Sequence, residues 1–263
     1  MSRAYFHFIV ATVLLMPMVF SCSKREPAKD SFNRGLEALQ NEDYDLAISY
    51  FTEVLRLDPN LAMACNNRGW AYLNIGEFDK AIADCTEAIR LDPNLAMAYN
   101  NRGWAYMQKG EFDKATADYT EAIRLDPTDA TARFGRGVSY YSTYDYDQAI
   151  HDLNEAIRLD PAFARAYSER GAAYKEMGDY DRAIADCTEA IRLDPTNPIP
   201  RHSRGGSYFG KGDLDEAIAD FTEAIRLAPE LAQAYSGRAA AYRELGEEEK
   251  AAEDERKAHE LMK

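Results

Sequence analysis

The residues of this chain best suited to metal binding or catalysis are its four cysteines and four histidines. The cysteines form no CxxC pair, and no histidine lies near them at the spacing of a zinc site. The histidines are widely separated, and the chain has no nucleophile elbow and no glycine loop of the type that cradles phosphate. The sequence therefore predicts no metal, no cofactor and no catalytic site. The residues considered are Cys22, Cys65, Cys85, Cys187, His7, His151, His202 and His259.

Cys22 differs from the other cysteines because it closes an apolar segment at the start of the chain. Arg3 supplies a positive charge, and residues 6–20 are apolar apart from His7 and a break at Pro17. This stretch is shorter than the roughly 20 residues that span a bilayer. It fits the apolar region of an export signal.

The residues Val19-Phe20-Ser21-Cys22 resemble a bacterial lipobox, in which the cysteine thiol receives a diacylglycerol and the peptide before it is removed. The resemblance implies a signal peptide at 1–21, a lipid-anchored linker at 22–29 and lipidation of Cys22. Ser23 resembles the residue that sorts such proteins to the outer membrane, facing the periplasm. The alternative is an ordinary signal peptide with an incidental cysteine.

The net charge of -14 restricts the class of partner. An acidic surface repels phosphate backbones, so nucleic acid is not expected to bind. No basic run is long enough to favour docking on an anionic membrane.

From Ala28 onward the sequence repeats every 34 residues without a gap, and the second and third copies are identical at 26 of 34 positions. A 34-residue period predicts a helix-turn-helix repeat. The domain of residues 30–263 therefore contains seven copies, at about 28–61, 62–95, 96–129, 130–163, 164–197, 198–231 and 232–263.

Glycine marks two places in the copies. A glycine halfway along the first helix, such as Gly69, costs about 1 kcal/mol of helix propensity, and close contact with a facing alanine such as Ala81 is expected to offset it. A second glycine, such as Gly178, ends that helix, where a left-handed residue is favoured. Tyr144 replaces it in the fourth copy and is expected to strain the turn.

The pattern AxxYNNRGWAYxxxGEFDKAxADxTEAIRLDP resembles the tetratricopeptide repeat, in a variant with an NRG motif. The resemblance implies an all-α fold, a right-handed α-solenoid of helical hairpins whose first helices line a concave groove for a peptide or a partner protein. It places these residues in the groove: Asn33, Met63, Asn66, Asn67, Trp70, Met97, Asn100, Asn101, Trp104, Phe134 and Tyr141.

Asn33, Asn67 and Asn101 recur at one position and resemble an asparagine ladder that grips a peptide main chain. An amide can do this because it both donates and accepts a hydrogen bond. Trp70 and Trp104 share another position, and tryptophan is common at interaction hot spots. In the alternative interpretation, the asparagines stabilise helix starts and the tryptophans fill gaps between copies.

An arginine recurs in every first helix and an aspartate in six second helices. They could form a basic strip for acidic peptides, but recurrence in step favours ion pairs that hold helices together. Cys65 is expected to face Cys85, too far away for a disulfide. The helix that begins at Pro198 carries several glycines and is expected to be the least stable.

Taken together, the sequence predicts a non-enzymatic scaffold tethered to a bacterial envelope membrane. A self-associating structural protein and an enzyme are the alternatives.

Overall fold

The computed structural model of the protein describes residues 25–262, so Cys22 and the predicted signal peptide lie outside the described residues. The described part is all-α, as predicted, and contains fourteen helices. The helices are α1 (Arg25–Gln40), α2 (Tyr44–Leu57), α3 (Ala62–Asn74), α4 (Phe78–Leu91), α5 (Ala96–Gln108), α6 (Phe112–Leu125), α7 (Ala130–Ser142), α8 (Tyr146–Leu159), α9 (Ala164–Glu176), α10 (Tyr180–Leu193), α11 (Pro198–Lys211), α12 (Leu214–Leu227), α13 (Ala232–Glu244) and α14 (Glu248–Leu261).

The chain divides into two compact units, the first ending at Pro127 and the second beginning at Thr128. Unit one contains α1 to α6 and unit two contains α7 to α14. Within each unit every helix packs against the next along the chain, so each predicted copy is an antiparallel helical hairpin. α1 begins at Arg25, inside the segment 22–29 that the sequence assigns to a linker; the burial of Ala28 favours this longer helix.

The first helix of most hairpins ends at a left-handed residue. Gly178 has φ of +78°, and the N–H of Asp179 donates to the carbonyl of Tyr174 at 2.9 Å. This bond satisfies a carbonyl that the helix leaves unpaired. Tyr144 has φ of +64°, so the predicted left-handed tyrosine is confirmed. The same capping bond forms at this turn, where the N–H of Asp145 donates to the carbonyl of Tyr140.

The glycine inside the first helix lies against the second helix of its own hairpin, as expected. Its nearest neighbour, however, is not the facing alanine. A Cβ on Gly69 would lie 2.8 Å from Sγ of Cys85 and 3.4 Å from the carbonyl oxygen of Ala81. A Cβ on Gly205 would lie 3.0 Å from the Phe221 ring. The glycine therefore makes room mainly for the side chain that follows the repeated aspartate.

The repeated arginines and aspartates form ion pairs inside the hairpins, which confirms the structural interpretation of these charges. Each guanidinium binds its carboxylate through two nitrogens at 2.6 to 2.8 Å, and such forked pairs are the strong kind. Arginines of this set also donate to the preceding second helix, as Arg204 does to Thr188 at 2.9 Å. The pairs are Arg68–Asp84, Arg102–Asp118, Arg136–Asp152, Arg170–Asp186, Arg204–Asp220 and Arg238–Asp254.

Candidate functional site

The strongest candidate surface in unit one lies on two first helices that contact each other directly, α3 and α5. We call it the α3–α5 face. Most of the predicted groove residues belong to it: Met63, Asn66, Asn67, Trp70, Met97, Asn100, Asn101 and Trp104.

A short chain of amides crosses the centre of the α3–α5 face. Nδ2 of Asn101 donates to Oδ1 of Asn66 at 2.9 Å, and Nδ2 of Asn66 donates to Oδ1 of Asn67 at 3.2 Å. All three side chains are buried, and Asn66 and Asn67 are each only 1% exposed. Because each amide accepts from the one before it, the chain of bonds runs in one direction and ends on the amide nitrogen of Asn67.

That terminal nitrogen has no hydrogen-bond partner among the described residues, although it is buried. An unpaired buried donor costs roughly 1–3 kcal/mol, so native proteins pair nearly all of them with protein, water or ligand. The group that suits Nδ2 of Asn67 is an acceptor such as a carbonyl oxygen.

Four large side chains surround the amides and remain half-buried: Met63, Trp70, Met97 and Trp104. Trp70 packs against the core around Phe51 and also against the core around Leu73, so it fills space between hairpins. Trp70 therefore does fill a gap between copies, as in the alternative interpretation. Both tryptophans still keep part of their surface accessible.

The predicted ladder of Asn33, Asn67 and Asn101 stays a prediction, and its three members differ in their surroundings. Asn33 is exposed, and the described hydrogen bonds instead join Asn101 to Asn66, which occupies the preceding position of the repeat. Asn100 is buried as well. The equivalent of Asn66 in the first copy is Phe32, which packs edge-on against Phe51 at 5.6 Å and leaves Asn33 without an amide at that position.

In unit two the prediction for Phe134 was wrong, because this ring is core rather than groove lining. It is buried against Leu153, and its centroid lies 4.9 Å from that of Phe163. The guanidinium carbon of Arg165 lies 5.0 Å above the ring. Tyr141, by contrast, is only half-buried and lines a cleft of about 440 Å³.

That cleft was not predicted as a site from the sequence. Its lining consists of Tyr141, Ser142, Tyr144, Tyr146 and Glu176. The available signal was the run YYSTYDY at 140–146, in which a tyrosine takes the place of the glycine that ends other first helices. We call it the tyrosine cleft.

Cys65, Cys85 and Cys187 are buried free thiols in the structure. Burial raises the pKa of Cys65 to about 11 and that of Cys187 to about 12, with nearby carboxylates adding to the effect. At neutral pH these thiols stay protonated, and protonated thiols are poor nucleophiles and poor metal ligands.

Residues 25–262 were also compared with the requirements of a metal site and of a membrane-spanning helix. No group of three or more side chains there is arranged to hold a metal ion. None of the helices there combines the length and the apolar character needed to cross a bilayer.

Solved structures similar to this chain share its fold. A chain in the crystal structure of the APC/C hetero-tetramer Cut9–Hcn1 superimposes with a TM-score of 0.76 at 22% identity over 90% of this chain, which spans 45% of that one. A tetratricopeptide repeat protein from Parabacteroides merdae gives 0.70 at 22% identity, over 90% of this chain and 93% of that one. YrrB, described as a TPR protein with an unusual peptide-binding site, gives 0.57 at 21% identity, over 70% and 95%.

No curated protein sequence matches the chain significantly. Family patterns do match it. Patterns described as tetratricopeptide repeat match residues 28–61, 62–95, 96–129 and 164–197, and a pattern described as TPR repeat matches 145–178 and 205–246. The first four ranges coincide with the copies found by period, and together the matches cover more than half of the chain. The chain belongs to the tetratricopeptide repeat family.

Proposed function

We propose that the protein is a non-enzymatic scaffold that binds a polypeptide on the α3–α5 face and is held at a bacterial envelope membrane by a lipid on Cys22. The observation that carries the binding part is the donor end of the amide chain at Asn67. A main-chain carbonyl is an acceptor that every peptide carries, so an amide can hold it whatever the peptide sequence.

The half-buried side chains around the amides supply the rest of the binding surface. Tryptophan is common at interaction hot spots, and methionine adapts to partners of different shape. Trp70, Trp104, Met63 and Met97 thus surround the polar centre with apolar surface that a partner can bury. The peptide-binding site named for YrrB is consistent with this use of a repeat protein.

The membrane part of the proposal rests on the sequence Val19-Phe20-Ser21-Cys22. Each buried CH₂ of an acyl chain contributes ~0.8 kcal/mol, so two or more chains anchor a protein stably without an apolar protein surface. Ser23 favours the outer membrane, and an exported protein anchored there faces the periplasm.

Site-specific photo-crosslinking tests the binding part in the living cell. A photo-reactive residue replaces Met97 on the α3–α5 face, and the matched control places it at Ala83, which is exposed on the second helix α4. We expect Met97 to crosslink a partner polypeptide that Ala83 does not capture, as identified by mass spectrometry.

Equal capture at the two positions would exclude the α3–α5 face as the binding surface. Crosslinks only between two copies of this chain would replace the scaffold with a self-associating protein. In purified protein, Asn67→Leu is then expected to weaken binding of the captured peptide by about tenfold, because a buried hydrogen bond to the peptide carbonyl is lost. The far-UV spectrum and unfolding midpoint of this variant show whether the helices are intact.

A further inference from the structure

The tyrosine cleft of unit two lies where the turn between α7 and α8 meets the end of α9. Tyr141 comes from the last turn of α7, Tyr144 from the turn itself and Tyr146 from the start of α8, while Glu176 ends α9. The cleft has a volume of about 440 Å³, which is enough for a small organic group.

The three phenol rings form walls rather than a stack. The centroids of Tyr141 and Tyr146 are 5.6 Å apart with an angle of 55° between the rings. Those of Tyr144 and Tyr146 are 6.3 Å apart, and their planes are nearly perpendicular at 89°. Tyr144 is 78% exposed, so its ring is not part of the core. Aromatic faces carry negative potential, and rings at angles around one space are the arrangement that holds an organic cation.

The charges around the cleft are negative on balance. Burial raises the pKa of Tyr141 to about 12, and the carboxylates of Glu176 and Glu169 add to the rise because they disfavour a phenolate. A neighbouring cation, the ammonium of Lys175, pairs with Glu176 at 3.0 Å. An exposed pair between adjacent residues is weak, so a bound cation can compete with it.

Comparison with other hairpins shows that this cleft lacks an internal cation. In two places a lysine thirty residues after an aspartate pairs with it across neighbouring hairpins: Lys109 with Asp79 at 2.5 Å, and Lys211 with Asp181 at 2.6 Å. The second pair lines a related cleft of about 350 Å³. Asp147 is the equivalent aspartate beside the tyrosine-rich turn, and the residue thirty positions after it is Met177. Met177 is 47% exposed and carries no charge, so no lysine is available there to form the pair.

A second internal cation is missing from the same hairpin. In four copies a lysine or arginine eight residues after the first-helix tyrosine lies over its ring, at 4.3 Å for Arg182 over Tyr174 and 5.1 Å for Lys250 over Tyr242. In the fourth copy this residue is Gln148. The hairpin with the most tyrosines at its turn therefore lacks two cations that several other copies supply.

We propose that the tyrosine cleft binds an alkylammonium group, of the kind carried by a lysine side chain of a partner polypeptide. Tyr141, Tyr144 and Tyr146 surround the cation, and Glu176 supplies opposite charge. The site is in unit two and needs no peptide on the α3–α5 face, so it can be tested independently of the function proposed above.

The test is a titration of the Cys22→Ala protein, labelled with ¹³C-tyrosine and followed by NMR, with Nα-acetyl-lysine methylamide. The matched neutral probe is Nα-acetyl-norleucine methylamide, which has a similar chain without the ammonium group. We expect the lysine probe to shift the ring signals of Tyr141, Tyr144 and Tyr146, and the neutral probe to leave them unchanged. Tyrosine-to-phenylalanine variants assign these signals.

Three variants and one control variant locate the site. Tyr144→Gly is expected to weaken binding of the lysine probe about fivefold or more, and Glu176→Gln is expected to weaken it about threefold. Met177→Lys is expected to abolish binding of the lysine probe. Met177 occupies the position of the repeat at which Lys211 lines the related cleft, so a lysine there would compete with the probe. Met177→Leu keeps the side-chain volume and leaves the position neutral, so this variant is expected to bind the lysine probe as tightly as the unaltered protein does.

Equal shifts with the neutral probe would overturn the proposal, as would full binding by Tyr144→Gly or Met177→Lys. Phosphocholine provides the last comparison. If it binds more tightly than the lysine probe, the cleft recognises a lipid headgroup rather than a polypeptide, and the proposal as stated is wrong.

Discussion

Tyr144 illustrates how one residue can serve a surface at the expense of the fold. Its backbone lies in the left-handed region, where a side chain with a Cβ costs roughly 1–2 kcal/mol relative to glycine. Five other hairpins have glycine at this place, from Gly76 to Gly246, and the first has Glu42 with φ of +58°. The strain at Tyr144 is therefore local and should be removable.

We predict that Tyr144→Gly stabilises the protein by about 1 kcal/mol, because glycine adopts this conformation without the steric cost. The free energy of unfolding in urea measures the change. Gly178→Ala is the matched control, since it puts a Cβ at the equivalent left-handed position with φ of +78° and should lower stability by a similar amount. A loss of stability in Tyr144→Gly would show that the ring contributes more by packing than the turn loses by strain.

The forked ion pairs lead to a second residue-scale prediction. Asp186 binds Arg170 through both oxygens, and the two side chains are largely buried. We predict that Asp186→Ala costs about 2–3 kcal/mol, because it leaves a partly buried guanidinium without its carboxylate.

Arg34 supplies the comparison for that variant. Its position matches that of Arg170, but Tyr50 stands where the aspartate would be, and Arg34 pairs instead with Asp30 on the surface, where its side chain is 57% exposed. Asp30→Ala should therefore change the unfolding free energy by less than about 0.5 kcal/mol. Similar costs for Asp30→Ala and Asp186→Ala would mean that burial does not control the strength of these pairs.

Some of these residue roles could be predicted from one sequence, and others could not. The ion pairs were predictable because both partners recur in step, sixteen residues apart. The burial of Phe134 was not, because its position in the repeat is polar in every other copy except the first, and only the structure shows that Phe163 covers it. The same holds for Asn66, whose partner Asn101 is 35 residues away and at a different position of its copy.

Among the elements, α11 is the one whose sequence conflicts most with its structure. It contains Pro198, Pro200 and three internal glycines, yet it forms a helix that Asn197 caps by accepting from the N–H of Ile199 at 3.0 Å. The proline at the first position is compatible with a helix start. The glycines lower its intrinsic stability, so tertiary contacts must hold it in place.

These glycines are not equivalent, and that leads to a prediction for the whole element. A Cβ on Gly206 would lie 3.5 Å from Cδ of Lys175, an ordinary contact, whereas a Cβ on Gly205 would lie 3.0 Å from the ring of Phe221 and 3.2 Å from the carbonyl oxygen of Ala217. We predict that Gly206→Ala slows amide hydrogen exchange across α11, corresponding to about 1 kcal/mol of helix propensity.

Gly205→Ala is the paired variant and should have the opposite effect, because the added methyl separates α11 from α12. Exchange measured by mass spectrometry on peptides from α11, with α9 peptides as the internal reference, distinguishes the two outcomes. If both alanine variants protect α11 equally, helix propensity outweighs packing at Gly205, and close approach is not the reason for that glycine.

The sequence could predict the helices well because each one is defined by local signals. The period places the hairpins, and Gly178 or Pro195 marks a helix end without reference to distant residues. The start of α1 at Arg25 was not predicted, because it lies before the first copy and no earlier copy of the repeat exists for comparison. The neighbour of each internal glycine was missed because helix spacing predicts which sides face, but not which side chain fills the space.

At the scale of the whole molecule, the net charge of -14 favours basic partners over acidic ones. An attraction of this type brings partners together faster at low salt, since ions screen it within about 10 Å at 0.1 M. The α3–α5 face holds no charged residue among its named members, while the tyrosine cleft has carboxylates. We therefore attribute recognition of a basic side chain to the cleft and recognition of a main chain to the face.

Under the proposed lipid anchor, the location of the molecule in the cell depends on a single atom, the sulfur of Cys22. If that thiol carries a diacylglycerol, we predict that Cys22→Ala moves the protein from the membrane fraction to the soluble fraction, because its acyl chains provide the anchoring energy at ~0.8 kcal/mol for each buried CH₂. Fractionation with a carbonate wash, followed by immunoblotting, measures the change, and incorporation of labelled fatty acid reports the modification itself. Cys65→Ala is the matched control, since Cys65 is buried in unit one and its loss should leave the protein in the membrane. A Cys22→Ala protein that stays in the washed membrane would show that residues 1–21 or a bound partner, rather than a lipid, provide the attachment.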